Sequence, residues 1–198
     1  MKNLSYLILL LVAFLVMQSC TNNKSNQAAN SDIDSAVSDA FNNSESDPTD
    51  TASNDMTKFA IKAASGGMME VQLGELAQQN AASSRVKNFA TMMVRDHSKA
   101  NDQLKALAAQ KNITLPVTLI SDHQKHAEDL RKRTGSDFDE HYMDMMTKDH
   151  KENIDEFEDA SKDKDIKDAD VKAFAVKTLP ILKMHLDSAK AIKESLKK

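Results

Sequence analysis

The sequence has no tryptophan, one cysteine, three prolines and four glycines in 198 residues, and only 5% of it is aromatic. A single cysteine excludes an intrachain disulfide, a cysteine-based metal knot and a paired-thiol redox site. So little glycine, proline and aromatic residue argues against a many-stranded sandwich or barrel. There is no Ser/His/Asp or Cys/His nucleophile set, no glycine-rich phosphate loop and no dinucleotide fingerprint. A basic excess is missing too. The formal net charge is −4, which excludes a phosphate-backbone binder and with it nucleic acid as a partner. The acidity is also unevenly placed. Residues 21–56 hold 7 acidic residues against one lysine, whereas residues 57–198 hold 23 acidic against 24 basic. The charge therefore says nothing of an acidic active site.

One hydrophobic run stands out. Lys2 precedes the uncharged apolar stretch Leu4–Met17, too short for a comfortable membrane span and suited to a signal-peptide core. It ends in Met17-Gln18-Ser19-Cys20, which resembles a bacterial lipoprotein signal. The resemblance implies removal of residues 1–19, lipidation of Cys20 and attachment to a membrane, with the outer membrane's periplasmic face expected. Two or more acyl chains would make that anchorage stable. Residues 20–56 read as a disordered acidic tether. From residue 21 to 56, 20 of 36 residues are Ser, Asn or Asp, and too little apolar surface is present to offset ordering entropy. As a flexible coil this segment reaches roughly 30–36 Å.

From Thr57 to Lys198 the apolar period is helical. Phe59, Ala63, Gly66, Glu70, Leu73 and Ala77 step by threes and fours, as on a packed helix. Ser83 is a cap for a second helix bearing Val86, Ala90, Met93, His97, Ala100, Leu104 and Leu107. A short helix over about 118–133 ends near Gly135, and Ser136-Asp137-Phe138-Asp139 starts another, with Met143, Met146, His150, Ile154 and Phe157 inward. The last begins at Asp165–Asp168 and turns Val171, Phe174, Thr178, Ile181 and His185 inward, with Pro180 expected to kink it. Gly66, Gly67 and Gly74 are expected to permit close helix contact or a bend. The expected fold is all-α: an up-down bundle of four helices, or five with a break near Gly135.

An internal echo supports a duplicated helix pair. Met92-Met93-Val94-Arg95-Asp96-His97 returns as Met145-Met146-Thr147-Lys148-Asp149-His150, with Phe89 and Tyr142 at equal distances upstream. Such symmetry is that of ferritin-like bundles. The stretch from Phe59 through Ser65-Gly66-Gly67-Met68-Met69-Glu70 to Leu76-Ala77 resembles the opening of the domain-of-unknown-function 4142 family. Asp96-His97, Phe138-Asp139…Tyr142…His150 and Leu179-Pro180…His185-Leu186 are similar to its later blocks, in the same order. The resemblance spans about 57–195 and implies a ferritin-like bundle in the bacterial envelope. It implies no activity.

One polar residue falls on each inward stripe: Glu70, His97, His150 and His185. Mid-helix positions in a bundle meet at similar height, so these four are candidate ligands for Fe, Cu or Zn. Asp96 and Asp149, one residue before the histidines, suit hydrogen bonding to a neighbouring imidazole. Met93 and Met146, four residues before the histidines, add a thioether option for Cu(I), against an ordinary core-filling role. A ferritin-type di-iron site is disfavoured, because Val94 and Thr147 stand where Glu-x-x-His requires glutamate. The same four residues read alternatively as a buried hydrogen-bond network in a non-catalytic module. Peroxide or oxygen chemistry ranks third. His123 and His126, three apart with Asp122 beside them, offer a surface site against the preferred reading of a solvated helix face, and the mixed-charge stretch Lys148–Asp170 reads as solvated surface.

Overall fold

The structure, a computed structural model, describes residues 48–197, with side chains from residue 54. The signal segment, Cys20 and the tether up to residue 47 lie outside the described residues. Five helices and no strand are present among the described residues. They are α1 (Pro48–Asn80), α2 (Ser84–Gln110), α3 (Ser121–Arg131), α4 (Gly135–Lys162) and α5 (Ala169–Leu196). None is long and apolar enough to cross a membrane.

α1 starts at Pro48, ahead of the Thr57 boundary read from hydrophobic period. Proline suits a first helical position, where its missing N–H is not needed. α3 is shorter than its expected span. α5 runs unbroken through Pro180, whose ring is on the exposed side, and its N-cap is Asp168, whose carboxylate accepts from the N–H groups of Asp170 and Val171. Ser83 is the N-cap residue of α2 but makes no side-chain capping bond. The turn there is held instead by Asp139 of α4. Its carboxylate accepts the N–H of Ala82 at 3.1 Å and of Ser83 at 2.8 Å. Asp139 thus serves a neighbouring helix rather than its own N-terminus, a long-range bond that no local pattern could announce.

Packing is pairwise, α1 on α2 and α4 on α5, with α3 laid against α1 and α4. Two apolar clusters fill the bundle. One joins Leu73, Phe89, Met93, Tyr142, Met146 and Ile192; the other joins Phe59, Leu104, Ile154, Phe157, Phe174 and Leu182. The order in which each helix meets these clusters gives its direction. α1 and α5 run from the second cluster to the first, α2 and α4 from the first to the second. The helices are therefore not in simple alternation. The stretch between α2 and α4, carrying α3, takes the chain back along the bundle so that α2 and α4 run the same way. Gly135, at φ 66° in the left-handed region, ends that return. A backbone bridge between Ala81 and Gly135 joins the end of α1 to the start of α4.

Parallel α2 and α4 give the sequence echo its spatial meaning. Phe89 meets Tyr142 edge-on at a centroid distance of 6.1 Å, and His97 meets His150 at 5.6 Å. Equal spacing along two parallel helices brings both pairs into register. Ile181, expected inside, is 38% exposed.

At Gly74, α1 lies close against the backbone of α2. A Cβ placed there would stand 2.7 Å from Val94 Cγ2 and 3.1 Å from the Ala90 carbonyl oxygen. Helix propensity favours alanine over glycine by about 1 kcal/mol, but overpacking costs about 1–3 kcal/mol. Gly74→Ala is therefore expected to lower the melting temperature by several degrees in a thermal scan, the reverse of the propensity effect.

Candidate metal centre

Glu70, His97, His150 and His185 come from α1, α2, α4 and α5; His97 and His150 lie between the two apolar clusters, Glu70 beside Met69 at the edge of the first, and His185 beside Leu186 at the edge of the second. They form one polar layer across the bundle. Their exposures are 1%, 6%, 0% and 0%, so bulk water does not satisfy them. One ring nitrogen from each histidine falls within 4.8 Å of the others. The ring centroids are 5.2–5.6 Å apart.

The partners of each ring fix its tautomer. Glu70 Oε2 is 2.8 Å from His97 Nδ1, and a carboxylate only accepts, so His97 Nδ1 carries the proton. His150 Nδ1 donates to the Met146 carbonyl at 3.0 Å. His185 Nε2 donates to Asp96 Oδ2 at 3.1 Å. In neutral rings the lone pairs are then on His97 Nε2, His150 Nε2 and His185 Nδ1. His97 Nε2 is buried without a hydrogen-bond partner. His150 Nε2 and His185 Nδ1 face each other at 3.3 Å. Two lone pairs at that distance repel unless a cation lies between them, a proton or a metal.

Burial resists the proton. It pushes His150 down to about 4, against the pull of Glu70. Burial and then the charge of His97 lower His185 as well, against Asp96 and Glu70. Glu70 goes the other way. Burial by itself would raise it, but His97, His150 and His185 together outweigh that and hold its carboxyl at about 2. Asn153, one turn beyond His150, donates to Glu70 Oε1 at 3.2 Å. Asp96 is held at about 2, chiefly by its hydrogen bond to Arg95, whose Nε and Nη2 reach its two oxygens at 2.7 and 3.0 Å.

The four candidate ligands thus gather in one place. Asp96 bonds an imidazole as expected, although it is His185 of α5 and not the adjacent His97. Asp149, its counterpart in the echo, does not reach the histidine layer. It is buried on the α3 side of α4, with Oδ2 unpartnered, beside His123 and His126. The reading of Lys148–Asp170 as solvated surface fails at this residue. Met93 and Met146 are fully buried in the first apolar cluster with Leu73 and Tyr142. Asn153 is the member of the layer that helical period does not single out, although it is a polar residue on the same face as His150.

A cavity of about 40 Å³ adjoins the layer, bordered by Glu70, His97 and His185 and by Phe174, Thr178 and Leu182. A water needs on the order of 10–15 Å³ measured in this way. A small ligand therefore fits next to the imidazoles.

The pattern of one family matches residues 42–192, the family described as Domain of unknown function (DUF4142). The chain belongs to that family. No curated protein and no solved structure matches it. The polar layer lies wholly inside the DUF4142 match, as do Asn153, Asp96 and Asp149.

Asp149 gives this domain a marked pH dependence. Burial pushes its carboxyl up to about 7, with Glu70 and Glu152 adding to the effect. An unfolded aspartate titrates near 3.9. Between about pH 4 and 7 the native state therefore holds a proton that the unfolded chain has released, and stability falls as pH rises through that window. Asp149→Asn, which keeps the shape of the protonated acid, is expected to melt above the native protein at pH 8. The gain should vanish by pH 4. Thermal scans at the two pH values, with chelator present, check both halves.

Proposed function

We propose that this domain binds a first-row transition metal ion at His97, His150 and His185, with Glu70 as a fourth ligand or as the carboxylate that orients His97. One observation carries the reading: three lone pairs converge in a buried layer, and each opposite ring nitrogen already donates to a carboxylate or a carbonyl. That is how metal-bound imidazoles are held. The bite also fits. Two nitrogens 2.0–2.1 Å from a tetrahedral ion stand about 3.3–3.4 Å apart, and the His150–His185 contact is 3.3 Å. Imidazole and carboxylate donors suit Zn(II), Fe(II) or Cu(II). Met93 and Met146, seated in the apolar core, add nothing to this set that the geometry supports.

The wider proposal is an envelope protein, lipidated at Cys20 and facing the periplasm, whose bundle supports tolerance of metal or oxidative stress. The return of the chain between α2 and α4 resembles the crossover of ferritin-like bundles. Residues 20–47 would act as the spacer from the lipid. Cys20→Ser should move the protein from the membrane fraction to the soluble fraction and end incorporation of labelled fatty acid.

A second reading rests on how much of the layer closes without an ion. Glu70 already meets His97 and Asn153, and Asp96 meets Arg95 and His185. On that reading the quartet is a structural network in a non-catalytic module. Metal decides between them. An ion that binds only the native state stabilises it by about 4 kcal/mol at a thousand times its Kd. Chelator-stripped protein titrated with Zn(II), Fe(II) or Cu(II) should melt higher and take up an ion that the triple variant H97A/H150A/H185A does not hold. An unchanged melting temperature with all three metals would favour the network.

A further inference from the structure

The histidine layer is closed on one side and open on the other. One helical turn towards the first apolar cluster stand Leu73, Met93, Met146 and Ala189, one from each long helix. All four are fully buried, so the layer is sealed there. One turn the other way, α1 carries Gly66 and Gly67, α2 carries Asn101 and α5 carries Ile181. The glycines have no side chain to fill the bundle, and Ile181 is 38% exposed. The cavity of about 40 Å³ is the space that this leaves beside the imidazoles.

The walls of the cavity limit what enters it. Glu70, His97 and His185 make its polar end, Leu104, Phe157 and Phe174 are apolar walls, and the half-buried Ala63 and Ala100 lie towards solvent. At 10–15 Å³ for a water, this is room for about two or three heavy atoms. A sugar, nucleotide or amino acid is too large. No lysine or arginine borders the space, so a multiply charged anion has no counter-charge there. Asn101 is placed to meet an occupant. It follows His97 by one turn, and its amide rests on Gly67, where a Cβ would collide with Oδ1. Among the described residues that amide has no hydrogen-bond partner.

Both oxygens of Glu70 are already engaged, Oε2 by His97 and Oε1 by Asn153. The ligands left for an ion are therefore the three imidazole nitrogens. Three protein ligands with a free fourth position are the mark of a metal centre that binds a further molecule. We infer that the metal ion proposed for the layer keeps one coordination position open to this cavity. That position takes an exogenous molecule of about two or three heavy atoms, neutral or singly charged, with the Asn101 amide as its hydrogen-bonding partner. A divalent ion beside Glu70 carries one net positive charge, which a single monoanion neutralises. The inference rests on the metal reading above, and its test separates the two.

The probes are Cu(II), loaded into chelator-stripped protein, and azide, a linear anion of the right size. An azide-to-copper absorption band should grow and saturate at one azide per copper. Imidazole, a bulkier ring, should leave the Cu(II) spectrum unchanged at the same concentration. Ala63→Leu and Ala100→Leu add bulk at half-buried positions; each should hold Cu(II) and weaken azide at least tenfold. Asn101→Ala should weaken it by about fivefold, the worth of one hydrogen bond. If a leucine variant fails to hold copper, the azide and imidazole comparison in the native protein still reads the size of the opening. Cu(II) uptake without an azide band overturns the open position and leaves the metal reading standing. Native azide affinity in both leucine variants, or imidazole binding as readily as azide, overturns the cavity as the ligand's site. An equal azide band in H97A/H150A/H185A assigns it to adventitious copper and overturns the inference. No Cu(II) uptake by the native protein ends both readings.

Discussion

His150→Ala is expected to weaken Zn(II) binding at the inner layer by on the order of 10²–10³-fold. Structural zinc sites bind with about 10–16 kcal/mol spread over four ligands, so one ligand accounts for several kcal/mol. His150 is the most consequential of the three imidazoles. It is fully buried, its Nε2 stands 3.3 Å from His185 Nδ1, and its Nδ1 is already engaged by the Met146 carbonyl. No other orientation of the ring keeps both contacts. The variant also removes the facing of two lone pairs, so in the absence of metal it should lose less stability than an ordinary cavity would cause. Zn(II) titration with a competing chelator measures the affinity, and His141→Ala, a half-exposed ring one α4 turn from Asp137, serves as the control. Native affinity in His150→Ala would end the metal reading of the layer.

The second large effect is on stability. Glu70→Ala is expected to destabilise the metal-free bundle by about 2–5 kcal/mol, because it leaves two buried donors unsatisfied at about 1–3 kcal/mol each. It strands the Nδ1–H of His97 and the side-chain amide of Asn153. For a domain of this size the melting temperature should fall by about 10 °C or more. Glu70→Gln keeps the volume and one accepting oxygen but turns a donor towards another donor. It should cost about 1–3 kcal/mol, the penalty for a buried polar group left unsatisfied. Metal affinity should fall in both variants, because both lose the negative charge. Thermal scans with and without Zn(II) separate the two roles. Glu70→Gln melting with Glu70→Ala would make charge, not hydrogen-bond geometry, the source of the stability.

Helical period and the run of apolar positions make the bundle legible in the chain itself. They put Leu73, Met93, Met146 and Phe174 in the core, where they are. They also turn Glu70, His97, His150 and His185 inward, because a polar residue on an apolar stripe has nowhere else to point. The echo in α2 and α4 carries more than a hint of duplication, since equal spacing on parallel helices forces Phe89 onto Tyr142 and His97 onto His150. Period alone fails at Ile181, which sits at the edge of its stripe, where a few degrees of helix rotation decide between core and solvent. It fails also at Asp149. Asp96 and Asp149 are equivalent in the sequence echo, yet one faces Arg95 and His185 and the other faces α3. A single short helix on one side of the bundle breaks the symmetry, and nothing local to Asp149 records where α3 will lie.

The scarcity of cysteine, glycine, proline and aromatic residues, with the helical period, thus settles a good deal: no intrachain disulfide and, among the described residues, helices without a strand and four inward polar side chains. These follow from sequence because they depend on composition and on neighbours three or four residues away. The direction of α4 relative to α2, the capture of the α1–α2 turn by Asp139, the tautomer of each imidazole and the burial of Asp149 are different in kind. Each depends on groups brought together from separate helices or on which face a distant helix covers. Only packing decides them, because a ring nitrogen's proton and a carboxyl's charge are set by whatever atom the folded chain brings within hydrogen-bonding reach.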